Sequence, residues 1–337
     1  MKAVYIKEFG GAENLEIRAV ENPAKPKGAE VLVNVKASAL NRADLLQRMG
    51  KYPAPKGFPE RILGLEFAGE VAEIGADVTN FKTGDRVFGI TAGGAQAEFL
   101  LTEESLLAKI PDNLSFTEAA AIPEAFITAH DAIFTNGNLK EHETLLIHAV
   151  GSGVGLAALQ LAKAKGARVF GTSRTADKLI KANEFGLDNS IITNDSLKLN
   201  EGKNPEYFAE LIEHFSGGKG ADVILDLVGA GYFAANVECL NLKGRIIFVG
   251  TTSGAKTELN ISQIMAKRAK LIGTVLRSRP TAEKAEATRK FVEEVVPLFE
   301  SGRIRPVIDR IFKMEEIQKA HEYLESNASF GKVVLEF

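Results

Sequence analysis

The sequence predicts an α/β protein in which a doubly wound, six-stranded parallel sheet follows a β-barrel-type domain of short strands. Three observations support this fold. A length of 337 residues suits about two domains of ~150 residues each. Residues 1 to about 120 contain short apolar runs between glycine turns, and from about Ser115 helical runs alternate with buried strands.

The N-terminal part of the chain is typical of strands joined by turns. Residues 30–40 begin with period-2 alternation after a cluster of Pro, Gly and Lys, which predicts a half-buried strand. Glycine-bounded strands follow within residues 64–75 and 84–88. A helix-rich stretch then breaks at Pro123, because proline lacks an N–H and its ring clashes with the preceding turn. We therefore predict domains at residues 1–122 and 123–276.

Strand and helix alternate through the second domain, which predicts parallel strands with a ligand crevice at their carboxyl ends. The predicted strands are Glu143–Ala149, Arg168–Thr172, Asn189–Ile192, Ala221–Gly229, Arg245–Gly250 and Lys270–Leu276. The predicted helices are Val154–Lys165, Ala176–Phe185, Ala209–Phe215 and Phe233–Leu240. A helical return segment is predicted at 277–303, and residues 304–337 should return to the first domain, where the strand KVVLEF completes its sheet.

Composition narrows the class of protein. With 41 Lys+Arg against 44 Asp+Glu, the formal net charge is -3, so the excess positive charge of a nucleic-acid or anionic-membrane binder is missing. The start MKAVYIKEFG lacks the apolar run of a secretory signal, and no apolar window is long enough to span a bilayer. The one cysteine, Cys239, cannot form an intramolecular disulfide and lies in an apolar stretch typical of a buried thiol. We expect a soluble, cytoplasmic protein.

The spacing of histidine and cysteine does not indicate a zinc or redox-thiol enzyme. A catalytic zinc takes three protein ligands, and structural zinc sites take several thiolates. No two of the five histidines are three or four residues apart; they are His130, His142, His148, His214 and His321. Counting alone leaves a carboxylate-only metal site open, because Asp and Glu are plentiful.

The strongest mechanistic signal is the loop Gly151-Ser152-Gly153-Val154-Gly155, between a buried strand and an apolar helix. Glycines allow a tight turn and let backbone N–H groups approach a pyrophosphate, which the helix N-terminus favours electrostatically. Glycines also serve ordinary strand–helix turns, but the position of this loop at the first strand of a βαβ series favours dinucleotide binding.

The end of the second strand indicates which dinucleotide is bound. An NAD site usually carries Asp or Glu about 20 residues after the loop, where it bonds the ribose 2′-hydroxyl. Here Ser173 and Arg174 end the strand and Lys178 follows, and these side chains could hold a 2′-phosphate by charge-assisted hydrogen bonds. The alternative is a solvated basic turn at a helix start. We predict NADPH (NADP) rather than NADH.

Together with the loop, the segments GLEFAGEVAEIG and GDRV resemble the medium-chain dehydrogenase/reductase superfamily over nearly the whole chain. The sequence is most similar to the zinc-free quinone oxidoreductases, which include zeta-crystallin. Leu65 stands where zinc enzymes carry a ligand histidine, residues 39–44 lack their catalytic cysteine, and the cysteine-rich loop is absent. The segments HAVGSGVG, GKYPAPKG and LRSRP resemble the stress-inducible NADPH quinone oxidoreductases. The resemblance implies a GroES-like catalytic domain and a Rossmann NADPH-binding domain.

The same resemblance implies direct hydride transfer to a quinone or other conjugated carbonyl, without zinc, in a cleft between the domains. It places Asn41 at the substrate as a carbonyl hydrogen-bond donor and Tyr52 as a stacking wall. Ser152 would donate to substrate or pyrophosphate. The alternatives are a turn-forming Asn, a surface Tyr and a turn Ser. Further cofactor contacts implied by matching family segments are Thr128, Gly229, Gly250, Thr251, Leu276, Arg277, Ser278 and Lys332, with Asn194 standing where many relatives use a tyrosine near the 2′-phosphate.

Three functions stay open on the sequence. The first is an NADPH:quinone reductase, and the second is a zinc-free NADPH reductase of α,β-unsaturated carbonyls. The third is a nucleotide-binding, crystallin-like protein that is not an enzyme. The predicted edge strand at residues 270–276 is apolar, and unpaired apolar edges recruit partners. Since two such edges pair in this family, we predict a homodimer.

Overall fold

The computed structural model describes residues 1–193 and 206–337, which form two compact units: Met1–Ile127 with Leu276–Phe337, and Thr128–Val275. In chain order the strands are β1 Lys2–Ile6, β2 Leu15–Ala19, β3 Glu30–Leu40, β4 Glu66–Ile74, β5 Arg86–Ile90, β6 Phe99–Glu103, β7 Leu107–Lys109, β8 Thr144–Ile147, β9 Arg168–Ser173, β10 Asn189–Ile192, β11 Ala221–Asp226, β12 Leu240–Phe248, β13 Lys270–Gly273, β14 Ile308–Lys313 and β15 Lys332–Glu336. The helices are α1 Arg42–Arg48, α2 Phe116–Ala120, α3 Pro123–His130, α4 Gly153–Ala164, α5 Ala176–Asn183, α6 Glu206–Ser216, α7 Phe233–Cys239, α8 Ile261–Lys267, α9 Thr281–Glu294, α10 Val296–Glu300 and α11 Ile317–Glu325.

The first unit is built on a seven-stranded sheet in which the long strand β3 changes partners along its length. Six strands follow the order β14-β15-β3-β4-β5-β7, and β6 also pairs with β3. Residues 30–34 of β3 pair with β6, and residues 37–40 pair with β15, all antiparallel. Strands β1 and β2 form a separate antiparallel pair. The predicted β-barrel-type domain of short strands is confirmed, and the predicted C-terminal strand KVVLEF is β15.

Alternation along β3 explains the core of this unit. Val31, Val33 and Val35 are buried and pack with Phe67 and Val87 in one apolar cluster. Successive side chains of a strand point to opposite faces, so every second residue of β3 enters the same core. A second cluster packs residues of β1, β2 and α1 against α11 and β15. The C-terminal segment thereby places Lys332, the first residue of β15, opposite the end of β3.

The second unit contains the predicted doubly wound sheet of six parallel strands, in the order β10-β9-β8-β11-β12-β13. Its core is continuous, with Leu146, Phe170, Ile224 and Ile246 fully buried. The strand order reverses between β8 and β11, and ligands of such sheets bind at the carboxyl ends of the strands beside this switch point.

Four predicted boundaries were wrong by three or more residues. Strand β11 ends at Asp226 rather than Gly229, and helix α6 begins at Glu206 rather than Ala209. Strand β12 begins at Leu240 rather than Arg245, because Leu240 already pairs with Ala221 before the register shifts. Strand β13 ends at Gly273 rather than Leu276, and Leu276 begins the segment that belongs to the first unit. No helix in the described part of the chain is long and apolar enough to cross a membrane.

Candidate active site

The predicted phosphate loop joins β8 to the N-terminus of α4. Ser152 is the residue that caps α4, and its Oγ accepts a hydrogen bond from the Gly155 N–H at 3.1 Å. The N–H groups of Gly153 and Val154 have no hydrogen-bond partner in residues 1–193 or 206–337. Unpaired N–H groups in the first turn of a helix carry partial positive charge and bind anions. The loop therefore fits a nucleotide diphosphate.

Gly155 cannot be replaced by a larger residue without moving this loop. A Cβ atom there would lie 2.7 Å from the carbonyl oxygens of both Ala149 and Val150. Without a side chain, the first turn of α4 packs directly on the backbone that leaves β8. Gly151 and Ser152 lie between Val150 and Gly155. The close packing of Gly155 therefore keeps them near the carboxyl end of the sheet.

The basic residues predicted for a 2′-phosphate lie just past the carboxyl end of the neighbouring strand. Ser173 ends β9 and is buried, while its Oγ accepts a 3.3 Å hydrogen bond from the Thr175 N–H. Arg174 is exposed, and Lys178, on α5, is partly exposed. No carboxylate lies between Ser173 and Asp177, so the arrangement fits a dianionic phosphate better than an uncharged ribose hydroxyl. Asn194 lies outside the described residues.

Two further predicted cofactor segments meet at the carboxyl ends of β11 and β12. Gly229 has a φ of 93°, and a Cβ there would lie 2.9 Å from the Thr251 Cα. A Cβ on Gly250 would lie 2.6 Å from the Leu227 carbonyl oxygen. Both positions require glycine, since the two loops approach each other backbone to backbone. The structure thus brings Gly229, Gly250 and Thr251 together.

A buried polar chain under this edge was not found from the sequence. It crosses three strands, and its four members, each no more than 1 % exposed, are His148, Thr172, Asn236 and Asp226. The His148 ring lies 3.0 Å through Nδ1 from Thr172 Oγ1 and 2.6 Å through Nε2 from Asn236 Oδ1. Asn236 Nδ2 donates to Asp226 Oδ2 at 3.0 Å, and Asp226 Oδ1 accepts from the Val228 and Gly229 N–H groups.

These contacts fix the protonation of His148. Asn236 uses its NH₂ on Asp226, so its Oδ1 can only accept, and His148 must carry its proton on Nε2. Nδ1 then accepts from the Thr172 hydroxyl. Burial lowers the pKa of His148, and the nearby Asp226 charge opposes that shift. The neutral ring therefore links the end of β8 to the Gly229 loop.

In the first unit, Asn41 is held by a buried ion pair. Lys332 Nζ donates to Glu66 Oε1 at 2.6 Å, to Asn41 Oδ1 at 2.7 Å and to the Leu40 carbonyl at 3.0 Å. Asn41 Nδ2 donates to the same Glu66 oxygen at 2.8 Å and lies 3.4 Å from the Ala39 carbonyl oxygen. The orientation of the amide is thus fixed, and its one weakly bonded N–H is the hydrogen that a substrate carbonyl could take.

Two carboxyl groups beside this ion pair were also missed by sequence reasoning. Asp44 is fully buried and accepts from the Asn41 and Gly64 N–H groups; burial raises its pKa to about 6 even so. Glu124 stands in the first turn of α3, and its N–H donates to Glu66 Oε2 at 2.8 Å. Burial and the Glu66 charge raise the pKa of Glu124 to about 8.

The structure also brings together Tyr52, predicted at the substrate, and Arg277, predicted at the cofactor. The Arg277 guanidinium lies 4.9 Å from the Tyr52 ring centroid and donates to the Tyr52 and Ala92 carbonyls and to Gln47 Oε1. Burial raises the pKa of the half-buried Tyr52 phenol. Leu276 is buried and Ser278 exposed on either side of Arg277, and Thr128 on α3 is partly exposed. The residues predicted to meet the substrate therefore lie in the first unit, and the predicted phosphate loop lies in the second.

The described residues contain no group of three or more His, Cys, Asp or Glu side chains placed to hold a metal ion. The Glu66 and Asp44 carboxylates instead accept from lysine, amide and backbone donors. Cys239 is a buried thiol, as predicted, and burial raises its pKa to about 12.

Comparison with known proteins defines the class. The family profile described as "Alcohol dehydrogenase GroES-like domain" matches residues 27–112, and "Zinc-binding dehydrogenase" matches residues 153–294. These are the two domains of the medium-chain dehydrogenase/reductase superfamily, a class of oxidoreductases, with a GroES-like and a Rossmann domain.

The most informative relatives cover the full chain. A quinone oxidoreductase of Pseudomonas aeruginosa is 33% identical over 99% of both chains, and the Homo sapiens quinone oxidoreductase is 30% identical over 99% of this chain and 97% of its own. The chain belongs to the quinone oxidoreductase family.

Solved structures with the same fold include several activities. A mycobacterial protein complexed with NADPH has a TM-score of 0.86 at 28% identity over all of both chains. An NAD-dependent alcohol dehydrogenase has a TM-score of 0.85 at 31% identity, again over all of both chains. The JamJ enoyl reductase has a TM-score of 0.85 at 26% identity over 99% of this chain and 98% of its own.

Proposed function

We propose that the protein is an NADPH-dependent quinone oxidoreductase in which hydride passes directly to a quinone without zinc. The observation that carries this proposal is the N-terminus of α4. There the unpaired N–H groups of Gly153 and Val154 fit a diphosphate, one strand away from the basic end of β9. NADPH supplies the hydride when bound; the protein binds it, orients it and excludes water.

The preference for NADPH depends on Ser173, Arg174 and Lys178. A 2′-phosphate placed against an exposed guanidinium gains charge-assisted hydrogen bonds that a 2′-hydroxyl cannot make. The mycobacterial structure with NADPH supports this assignment, and the NAD-dependent alcohol dehydrogenase shows that the fold also serves NAD. The proposal therefore predicts a measurable preference rather than strict exclusion of NADH.

The acceptor would meet residues of the first unit. Asn41 would donate its weakly bonded N–H to a carbonyl oxygen of the acceptor. The Tyr52 ring, which also contacts the Arg277 guanidinium, would stack on the acceptor. Without a metal to polarise the carbonyl, the acceptor must be easily reduced, as a quinone is. The names of the relatives from Pseudomonas aeruginosa and Homo sapiens support the same substrate class.

A second candidate is the reduction of an α,β-unsaturated carbonyl. The likeness to an enoyl reductase supports it, because both reactions need a hydride donor and a group that binds a conjugated carbonyl. The same nucleotide site would serve both, so the acceptor pocket alone distinguishes them.

A panel of acceptors tests these proposals. NADPH oxidation by the purified protein would be measured with a naphthoquinone, an ortho-quinone and a 2-alkenal, alongside metal analysis. Turnover of the quinones alone supports the first candidate, and turnover of the alkenal alone supports the second. Stoichiometric zinc that is needed for activity would contradict the zinc-free mechanism.

Arg174→Asp tests the cofactor assignment. It should raise the KM for NADPH by about 100-fold, because a charge-assisted hydrogen bond is lost and a repulsion is added, while the KM for NADH stays nearly constant. The matched control is Arg168→Asp, at the opposite end of β9. Equal use of NADPH and NADH before and after the substitution would refute the 2′-phosphate site.

We also propose a homodimer through β13. This strand is the edge of the six-stranded sheet, and Leu271 on it is 37% exposed. Sedimentation of the wild type and of Leu271→Lys would test the pairing; a wild-type monomer would contradict it.

A further inference from the structure

Glu124 carries a carboxyl group that nothing in the described chain pairs with. Its backbone N–H donates to Glu66, but its side chain makes no hydrogen bond or ion pair with residues 1–193 or 206–337. The residue is partly exposed and stands in the first turn of α3. A carboxyl in this setting is free to exchange a proton with a bound molecule.

Burial, together with the neighbouring carboxylates, raises the pKa of Glu124 and keeps it protonated at neutral pH. Glu66 on β4 is the strongest charged neighbour and raises the pKa together with burial, to about 8; Asp44 on α1 acts in the same direction. Lys332 and Arg277 lower it, but both cations are bound elsewhere, to Glu66 and to Gln47. The other titratable groups that face Glu124 are Tyr52 and the buried Lys284 of α9.

Three other acids of this cluster, Asp44, Lys332 and Tyr52, are poorer proton donors at neutral pH. Asp44 has a pKa of about 6, and both its oxygens accept backbone N–H groups. The Lys332 ammonium donates to three acceptors inside the buried ion pair. The pKa of the Tyr52 phenol is raised by burial, which makes it a weaker acid. Of these four groups, Glu124 is the strongest acid that still carries its proton at neutral pH and whose side chain makes no hydrogen bond.

Reduction of a carbonyl by hydride requires such a group. Hydride brings two electrons to the quinone and leaves one oxygen negatively charged, so one proton must follow to give the hydroquinone. This requirement rests on the proposed function. Glu124 is an electrostatic neighbour of Tyr52, and through Glu66 it adjoins Asn41; these are the two side chains assigned to the acceptor.

We propose that the Glu124 carboxyl is the catalytic acid that protonates the reduced acceptor. The Glu124 O–H bond breaks as the new O–H bond forms on the acceptor oxygen, and water returns a proton to the carboxylate before the next turnover. The overall balance is quinone plus NADPH plus one proton giving hydroquinone plus NADP⁺. For an enone, the same proton would go to the carbanion carbon or the enolate oxygen.

Glu124→Gln tests the proposal, because the amide keeps the size of the side chain but has no acidic proton. At pH 7 it should lower kcat for the quinone by about 100-fold, the lower range for general acid catalysis, with an unchanged Kd for NADPH by fluorescence. In the wild type, kcat should fall as the pH rises through about 8, and this limb should vanish in the variant. Glu283→Gln, an exposed glutamate in the first turn of α9, is the matched control and should behave as wild type.

The outcomes separate this proposal from the proposed function. If the wild type reduces quinones but Glu124→Gln keeps both its kcat and its alkaline limb, the acid is another group. If the wild type binds NADPH but reduces no conjugated carbonyl, the proposed function itself fails. Should Glu124→Gln not fold, Glu124→Asp and an infrared search for a protonated carboxyl at pH 7 decide: partial activity with a protonated C=O band supports Glu124, and absence of that band refutes it.

Discussion

The two units stabilise a fully buried carboxylate in different ways. Glu66, in the first unit, is bound by the Lys332 ammonium, the Asn41 amide and the Glu124 N–H. Asp226, in the second, is bound by three neutral N–H groups, from Asn236, Val228 and Gly229. Both are 0% exposed. The first arrangement is an ion pair within a group of titratable side chains, whereas the second is a chain of neutral donors beneath a backbone loop.

The difference follows from what each buried carboxylate positions. The Glu66 cluster positions side chains, since Lys332 and Glu66 together fix the amide of Asn41. The Asp226 chain positions backbone, because its carboxylate accepts from the Val228 and Gly229 N–H groups, and Gly229 has no room for a side chain. Charges packed in one place shift each other's pKa values, as at Glu124.

A large effect is expected from breaking the ion pair. Lys332→Met should lower the free energy of unfolding by about 3–5 kcal/mol, because it leaves the Glu66 carboxylate buried without a counter-charge. Denaturant unfolding at pH 7 measures this. Lys313→Met, which removes an exposed pair with Glu336, is the control and should match wild type. The double variant Lys332→Met/Glu66→Leu should recover most of the lost stability. If Lys332→Met alone is as stable as wild type, the Glu66–Lys332 ion pair does not stabilise this region.

A comparable effect is expected from the neutral chain. Asn236→Leu leaves the His148 N–H unpaired and takes one donor from Asp226. The free energy of unfolding should therefore fall by about 2–6 kcal/mol, at about 1–3 kcal/mol for each group. The Kd for NADPH should also rise, because the Gly229 turn loses part of its support. A double-mutant cycle with His148→Phe would measure the coupling. Additive losses would mean that the two residues do not act as one chain.

Local patterns predicted the fold well and the site only in part. The strands Glu30–Leu40 and Asn189–Ile192 were predicted to the residue, since alternation and flanking turns are local signals. The phosphate loop was likewise found as one contiguous segment. By contrast, the Glu66–Lys332 contact joins residues 266 positions apart. Nothing near either residue indicates the other, so Glu124 and Asp44, which depend on that cluster, stayed hidden.

The His148 chain was missed for a related reason. Each member lies within or at the end of a predicted strand, or on a predicted helix, and taken alone each is an ordinary polar residue. Parallel strands do bring their carboxyl ends to one edge, so His148 after β8 and Asp226 at the end of β11 could have been paired from the predicted strand order. Asn236, on α7, could not, because the side of the sheet that a helix covers is not encoded locally.

His321 provides a third case, a buried base with no partner at all among the described residues. Both ring nitrogens lack a hydrogen bond, and burial, assisted by the nearby Arg48, lowers the pKa of His321 to about 3. The unfolded chain binds a proton near pH 6.5 and the folded chain does not. Stability should therefore be complete above about pH 6.5 and fall as the pH drops toward 3, by about 2 kcal/mol at pH 5.

His321→Leu should remove that acid loss and raise the free energy of unfolding at pH 7 by about 1–2 kcal/mol, since an unsatisfied polar ring is replaced by an apolar group. Urea unfolding at pH 5 and pH 7 measures both effects. His142→Leu, at an exposed histidine, is the control and should leave the pH dependence intact. If the wild-type stability does not change between pH 7 and pH 5, His321 binds a proton or a water in the folded chain. His321 would then be satisfied like Glu66 and Asp226, and would not be an exception to them.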